Sequence, residues 1–369
     1  MKARFFSLAD GLAQRKDNFL LLRFLAAALV IYGHAYAMMV EKGPPELFTS
    51  LGWPTYSGSI AVDLFFATSG FLVTGSFLRR RNVLVFLWAR ALRLLPAYAA
   101  CVVLSAFVLG AIYTQLPLPD YLHRPETRAY PWVNLHFGVD LRWELPGVFT
   151  NNPRRATVNG SLWTLPAEVR MYLWVAILGT LGILTRRAYA TIMIVALLVA
   201  GWLLPDYLPL VPFDGFLHIC AMFALGSLAY IWRDRIPVHG GLVVALAFVC
   251  WLSSGTQIQP PLFALAELAF TFWFAYRLPW HGFNCVGDYS YGMYLWGFPC
   301  QQIVAHHLPD ISPLTNAALS LPLAVLFGVV SWYAIEKPAL SLKSGPRSLW
   351  DRFGSRVRTR PDSAMRPAD

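Results

Sequence analysis

Charge is what this chain has least of. Only 14% of its 369 residues are Asp, Glu, Lys or Arg, against 57% hydrophobic, and the mean hydropathy is +0.49. Soluble domains carry about 25% charged residues, so a soluble core is excluded as the organising principle and a polytopic membrane protein is indicated. Acidic side chains are the scarcest, 20 against 30 basic ones. In a soluble protein the resulting net charge of +10 would raise nucleic acid as a partner. Here it reads as basic loops facing anionic lipid, with no nucleic-acid partner. Cysteine is limited to Cys101, Cys220, Cys250, Cys285 and Cys300, with no CxxC pair. Each falls in or beside an apolar run and reads as a small buried hydrophobe. HExxH, Walker and dinucleotide motifs are missing and the histidines show no metal-ligand spacing, so no metal and no bound cofactor are expected. The N-terminal MKARFFSLADGLAQRKD lacks a short apolar core with a small-residue cleavage site, and no cleaved signal peptide is expected.

Long apolar runs are what is present. A bilayer core needs roughly 17–25 apolar residues per helix. Ten candidate spans lie near 19–40, 60–78, 84–114, 162–184, 188–204, 216–232, 238–254, 261–277, 287–307 and 316–336. With the N-terminus inside, most of the 30 Lys and Arg fall in cytoplasmic segments, while few, such as Lys42, Arg124 and Arg155, fall outside. The expected fold is therefore an all-α transmembrane bundle of about ten helices with both termini cytoplasmic. Residues 1–17 read as a cytoplasmic N-terminal segment and 18–340 as the membrane domain. Residues 341–369 read as a basic, disordered cytoplasmic tail. A long loop near 115–160, rich in Pro, Tyr, Trp and Arg, lies outside, and its Tyr130, Trp132 and Trp143 offer flat faces to a sugar or anchors to the interface.

The first span, NFLLLRFLAAALVIYGHAYAM, keeps an arginine near one end and a histidine well inside. Eleven steps separate Arg23 from His34, almost three helical turns, so both share one face about 16 Å apart. Intramembrane ionisable residues are functional candidates. A desolvated imidazole stays neutral and can accept a proton from a hydroxyl; the alternative is a histidine hydrogen-bonded between helices. Two carboxylates are candidates to orient it. Asp63 lies in SIAVDLFFATSGFLVTG and Glu168 in NGSLWTLPAEVRMYL, both near outer helix ends and so at a depth similar to His34. Asp63 could instead cap its helix, and Glu168 could pair with Arg170 or Arg155. In FLWARALRLLPAYAA, Arg90 and Arg93 share a face at i and i+3. Two guanidinium forks there can hold phosphates, or simply mark the cytoplasmic side. Pro96 should bend or reset that helix.

These motifs, in this order, resemble the acyltransferase-3 family of integral membrane acyltransferases. The Arg23–His34 spacing, AVDLFFATSGFLVTG, the Arg90–Arg93 pair, NGSLWTLPAEVRMYL, GDYSYGMYLWGFPCQQ and IEKPAL all match, across about residues 18–340. Members include bacterial O-antigen, exopolysaccharide and nodulation-factor O-acetyltransferases. The resemblance implies ten helices in the bacterial inner membrane and acetyl-CoA as co-substrate. His34 is then catalytic, with Asp63 and Glu168 beside it, and Arg23, Arg90 and Arg93 form the donor site. The partners implied are acyl-CoA, the bilayer and a glycan or lipid-linked saccharide acceptor. The chain departs from many relatives at Gly297, where they carry His, and no appended hydrolase-like domain is expected. A transporter or flippase for a lipid-linked saccharide is the alternative, though inverted repeats, common in that class, are not seen.

Overall fold

The computed structural model describes residues 5–39, 45–138, 140–204 and 214–344 and is all-α. The ten long helices are α1 (Phe19–Met38), α2 (Ser57–Arg80), α3 (Val83–Leu104), α4 (Thr164–Thr180), α5 (Arg187–Leu203), α6 (Asp214–Ile231), α7 (Gly240–Leu252), α8 (Gln259–Arg277), α9 (Ser290–His307) and α10 (Pro313–Ser331). Each coincides with one expected span. Among the described residues, four helical stretches are long and apolar enough to cross a membrane: Phe19–Met38, Ser57–Arg80, Val83–Tyr113 and Pro313–Ser341. Large apolar side chains stand exposed along the bundle, among them Ile112, Ile192, Trp202, Val244 and Leu326. Such a surface is stable in hydrocarbon and not in water. Most of the tail read as disordered, from residue 345 onward, lies outside the described residues.

Helix α2 is the axis of the bundle, and small residues let its neighbours close on it. A Cβ on Gly70 would meet the Phe223 carbonyl oxygen at 1.9 Å, and one on Gly226 would meet that of Ala67 at 2.0 Å. Thr74 donates to Ser227 Oγ at 2.9 Å across the same α2–α6 seam. Small residues and short hydroxyls are how helices associate where lipid offers no hydrophobic drive. Helix α9 uses the same device: Gly292 lies against Gly328 of α10, and Gly297 against Ile31 of α1. A Cβ at Gly297 would meet Ile31 Cγ1 at 2.8 Å, so a larger residue there requires the Ile31 side chain of α1 to shift.

Three local expectations change. Pro96 does not reset α3, which runs helical through it to Leu104 and then makes a π turn over Ser105–Leu109. Packing on both sides holds the helix although one amide donor is lost. Cys285 is exposed, in a short 3-10 turn before α9, while the other four cysteines are buried. The long loop is not structureless. It folds into helices Leu118–His123 and Pro125–Leu135 and is tied down by buried asparagines. Asn134 bonds the Tyr130 and Arg142 carbonyls, and Asn152 donates to Gln302 of α9. Tyr130 is fully buried and unavailable as a platform, whereas Trp132 is 76% exposed.

The end of this loop sets the depth of α4. Asn159 Nδ2 donates to the Leu295 carbonyl at 2.8 Å, and Gly160 lies under the Phe298 ring. Leu295 is one and a half turns into α9 and Phe298 is at its middle, so α4 starts within the bundle rather than at its rim. This lowers Glu168 away from the depth inferred for His34.

Candidate active site

Helices α1, α2, α3, α4 and α9 enclose a cavity of about 90 Å³. Arg23, Arg90, Arg93, Glu168, Tyr172 and Tyr294 are among its lining residues. All three arginines proposed for the donor therefore meet in one place, joined by one of the three candidate catalytic groups. His34 and Asp63 do not line this cavity.

The arginines are not equivalent. Arg93 is hydrogen-bonded to Asp288 and, at 3.1 Å, to Glu336. Asp288 also faces Arg23 at 3.5 Å and accepts from Ser290 Oγ at 2.6 Å. Glu336, 2% exposed at its side chain, accepts from Ser331 Oγ at 2.9 Å. This network knots the starts of α1 and α9 to the middle of α3 and the end of α10. Among the described residues Arg90 has no carboxylate ion pair and its buried Nε no hydrogen-bond partner; it lies over the Tyr172 ring at 5.9 Å. Tyr172 donates to Glu168. Beyond the membrane-spanning part, Lys343 is half-buried. Burial first, then the charges of Arg90, Arg93 and Arg80, hold its ammonium below the usual lysine pKa.

His34 sits further along the Arg23 face of α1. Its ring meets that of Phe298 edge-on at 5.4 Å, and its Nδ1 is buried with no hydrogen-bond partner. Gly33 beside it brings α1 against Gly58 of α2. On α9, Tyr291, Tyr294 and Phe298 follow at i, i+3 and i+7, and so share one helical face. Tyr291 and Tyr294 line the cavity and Phe298 touches His34. Two facing helices thus each carry a strip from the arginines to the imidazole.

Neither candidate carboxylate is hydrogen-bonded to His34. Asp63, 1% exposed, pairs instead with His218 Nε2 of α6 at 2.8 Å, and Glu267 of α8 lies close enough for its charge to interact with that of Asp63. Glu168 is engaged by Tyr172. Asp288 and Glu336 lie in the GDYSYGMYLWGFPCQQ and IEKPAL motifs, but no local pattern points to their partner, Arg93, which is 195 and 243 residues away in the chain. Only an arginine buried with too few counter-charges could have signalled that such carboxylates exist.

A profile of the acyltransferase domain matches residues 17–336. An "O-acetyl transferase" of Shigella phage Sf6 is 26% identical over 337 residues, covering 89% of this chain and 97% of the relative. "Nodulation protein 10" of Rhizobium leguminosarum bv. viciae is 28% identical over 359 residues, covering 89% and 94%. No solved structure matches the chain. The helical bundle, the Arg23–His34 face and the profile covering most of the chain agree, and the protein belongs to the acyltransferase-3 family.

Proposed function

We propose that the protein transfers an acyl group, most simply acetyl, from acyl-CoA to a hydroxyl of a glycan or lipid-linked saccharide at the bacterial inner membrane. The observation that carries this reading is the cavity holding Arg23, Arg90 and Arg93 at one end of the α1 face whose other end is His34. With the N-terminus cytoplasmic, the guanidinium groups open toward the compartment that supplies acetyl-CoA. They neutralise its phosphates, and the thin pantetheine arm carries the thioester up the strip between α1 and α9. The relative named O-acetyl transferase supports the choice of acyl group.

In the chemical step the acceptor oxygen attacks the thioester carbonyl while His34 takes the hydroxyl proton. The carbon–sulfur bond then breaks, and the coenzyme A thiolate leaves and is protonated from His34. An imidazole with no internal hydrogen bond at Nδ1 is free to accept a proton or to be acylated itself. Asp63 and Glu168 act in this reading without direct contact to the ring. Asp63, through His218, holds α2 to α6 where α2 supports α1 beside His34; Glu168, through Tyr172, keeps Arg90 aimed into the cavity.

The test is mass spectrometry of surface glycans from cells carrying wild-type or His34→Ala protein at equal membrane abundance. Acetyl content should fall by about 10²–10⁴-fold, the contribution of a general base. Undiminished acetylation would remove His34 from the chemistry.

A further inference from the structure

The strap that leads into α4, residues 152–160, is fastened along α9. Asn152 Nδ2 donates to the Gln302 carbonyl at 2.9 Å and to its Oε1 at 2.8 Å. Gln302 Nε2 in turn donates to the Arg154 and Thr157 carbonyls at 2.8 and 2.5 Å. Asn152 and Gln302 are both buried. Ala156 stands at φ +57°, a left-handed conformation unusual for a residue with a Cβ, and one that persists only where the surroundings impose it. The strap ends with Gly160 under the Phe298 ring. The same bonds fix its depth. Gln301 Nε2 donates to the Ile31 carbonyl at 2.7 Å, three residues before His34 on α1. Gln302 follows Phe298 at i+4 and so lies one turn along the same face of α9, and the Phe298 ring is the one that meets His34. Arg154 is thus carried past His34 at about its own level.

Arg154 is exposed and forms no ion pair among the described residues. Its charge interacts with that of His34, which is itself half-buried rather than sealed. A proton arriving on His34 beside an unpaired guanidinium sets two like charges together, and an anion among them relieves the repulsion. In the donor reading the thioester's phosphates stay with the arginines at the other end of the α1 face, about 16 Å away. The acceptor is what must reach His34 from the side of the strap. We propose that Arg154 binds an anionic group of the acceptor, a phosphate of its lipid carrier or a carboxylate of its sugars, and so seats the hydroxyl at His34. A guanidinium receives either group through two parallel hydrogen bonds. This contact rests on the transfer reading above and narrows it to saccharides that carry an acid.

Full-length wild-type, Arg154→Gln and Arg154→Lys proteins, at equal abundance in phosphatidylcholine vesicles, would be given labelled acetyl-CoA and the glycan acceptor extracted from the producing cells. Label entering glycan and label released as acetate are counted separately. Arg154→Gln should cut glycan labelling by about ten-fold or more at limiting acceptor, the worth of a charge-assisted hydrogen bond, and the deficit should narrow as acceptor is raised. Arg154→Lys, which keeps the charge but not the fork, should lose less, and decides the matter if the Gln variant folds poorly. Acceptor with its carboxyls reduced, or freed of its carrier phosphate by mild acid, then names the anion: the treatment that abolishes the wild-type lead over Arg154→Gln removed it. A lead that survives both treatments would overturn the acceptor contact, as would Gln and Lys variants that both match wild type. So would an equal loss of glycan labelling and acetate release, which places Arg154 in the fold or the chemistry. A deficit seen only after phosphatidylglycerol is added would assign Arg154 to a lipid headgroup instead. Wild-type protein that transfers no label would sink the transfer reading itself.

Discussion

The two ends of the Arg23–His34 face are built on opposite terms. At the arginine end, Arg23, Arg93, Asp288, Glu336 and two serines are linked by ion pairs and hydrogen bonds across four helices, although the Nε atoms of Arg23 and Arg90 stay unpartnered among the described residues. At the histidine end, a buried ring nitrogen is left without a partner between Phe298 and the Gly33–Gly58 contact. A buried polar atom without a hydrogen bond costs stability, and at the arginine end ion pairs between helices offset that cost, whereas no ion pair of His34 does so among the described residues. That contrast separates a region that holds the bundle together from the one to which the proposed function assigns the chemistry.

The contrast can be broken most directly at its extremes. His34→Ala should lose about 10²–10⁴-fold in acetyl transfer while its melting temperature in detergent stays at or above that of wild type. A large drop in melting temperature would make His34 a structural residue. Arg93→Gln should do the reverse on stability: two buried carboxylates lose their partner, at about 3–5 kcal/mol for breaking such a pair. Its melting temperature should fall by several degrees, and adding Glu336→Gln should restore part of it. No recovery in the double variant would mean that the network is not energetically joined. Tyr172→Phe removes the donor to Glu168 and should cost about 1.5–3 kcal/mol, read as a smaller melting shift together with weaker acetyl-CoA binding through Arg90. Smallest of all, Asp234→Asn should leave the melting temperature unchanged. Its bond to Arg187 lies at the surface, with the two side chains 39% and 47% exposed, although Arg187 holds the Asp234 carboxyl below the usual range despite the opposing effect of desolvation.

Much of this was legible in the residues, for physical reasons. Span length is imposed by the bilayer, so all ten long helices could be read from apolar runs. The shared face of Arg23 and His34 follows from helical pitch alone. The depth of Glu168 was not legible, because nothing local reveals that Asn159 hangs on a carbonyl of α9. The partners of Asp63 and Arg93 were equally hidden, for side chains 155 or more residues apart meet only through helix order and tilt. The lopsided roles of Arg90 and Arg93 come from neighbours supplied by other helices, not from their i, i+3 spacing.

The Asn159–Leu295 bond also dictates timing during biogenesis. Its acceptor is made 136 residues after its donor, and translation adds about 5–20 residues per second. The entrance of α4 therefore waits roughly 7–27 s for the helix that receives it. Until α9 emerges, the polar groups of the nascent loop must be satisfied by water or by the insertion machinery, and the cavity that Tyr291 and Tyr294 line is complete only once that helix is in place.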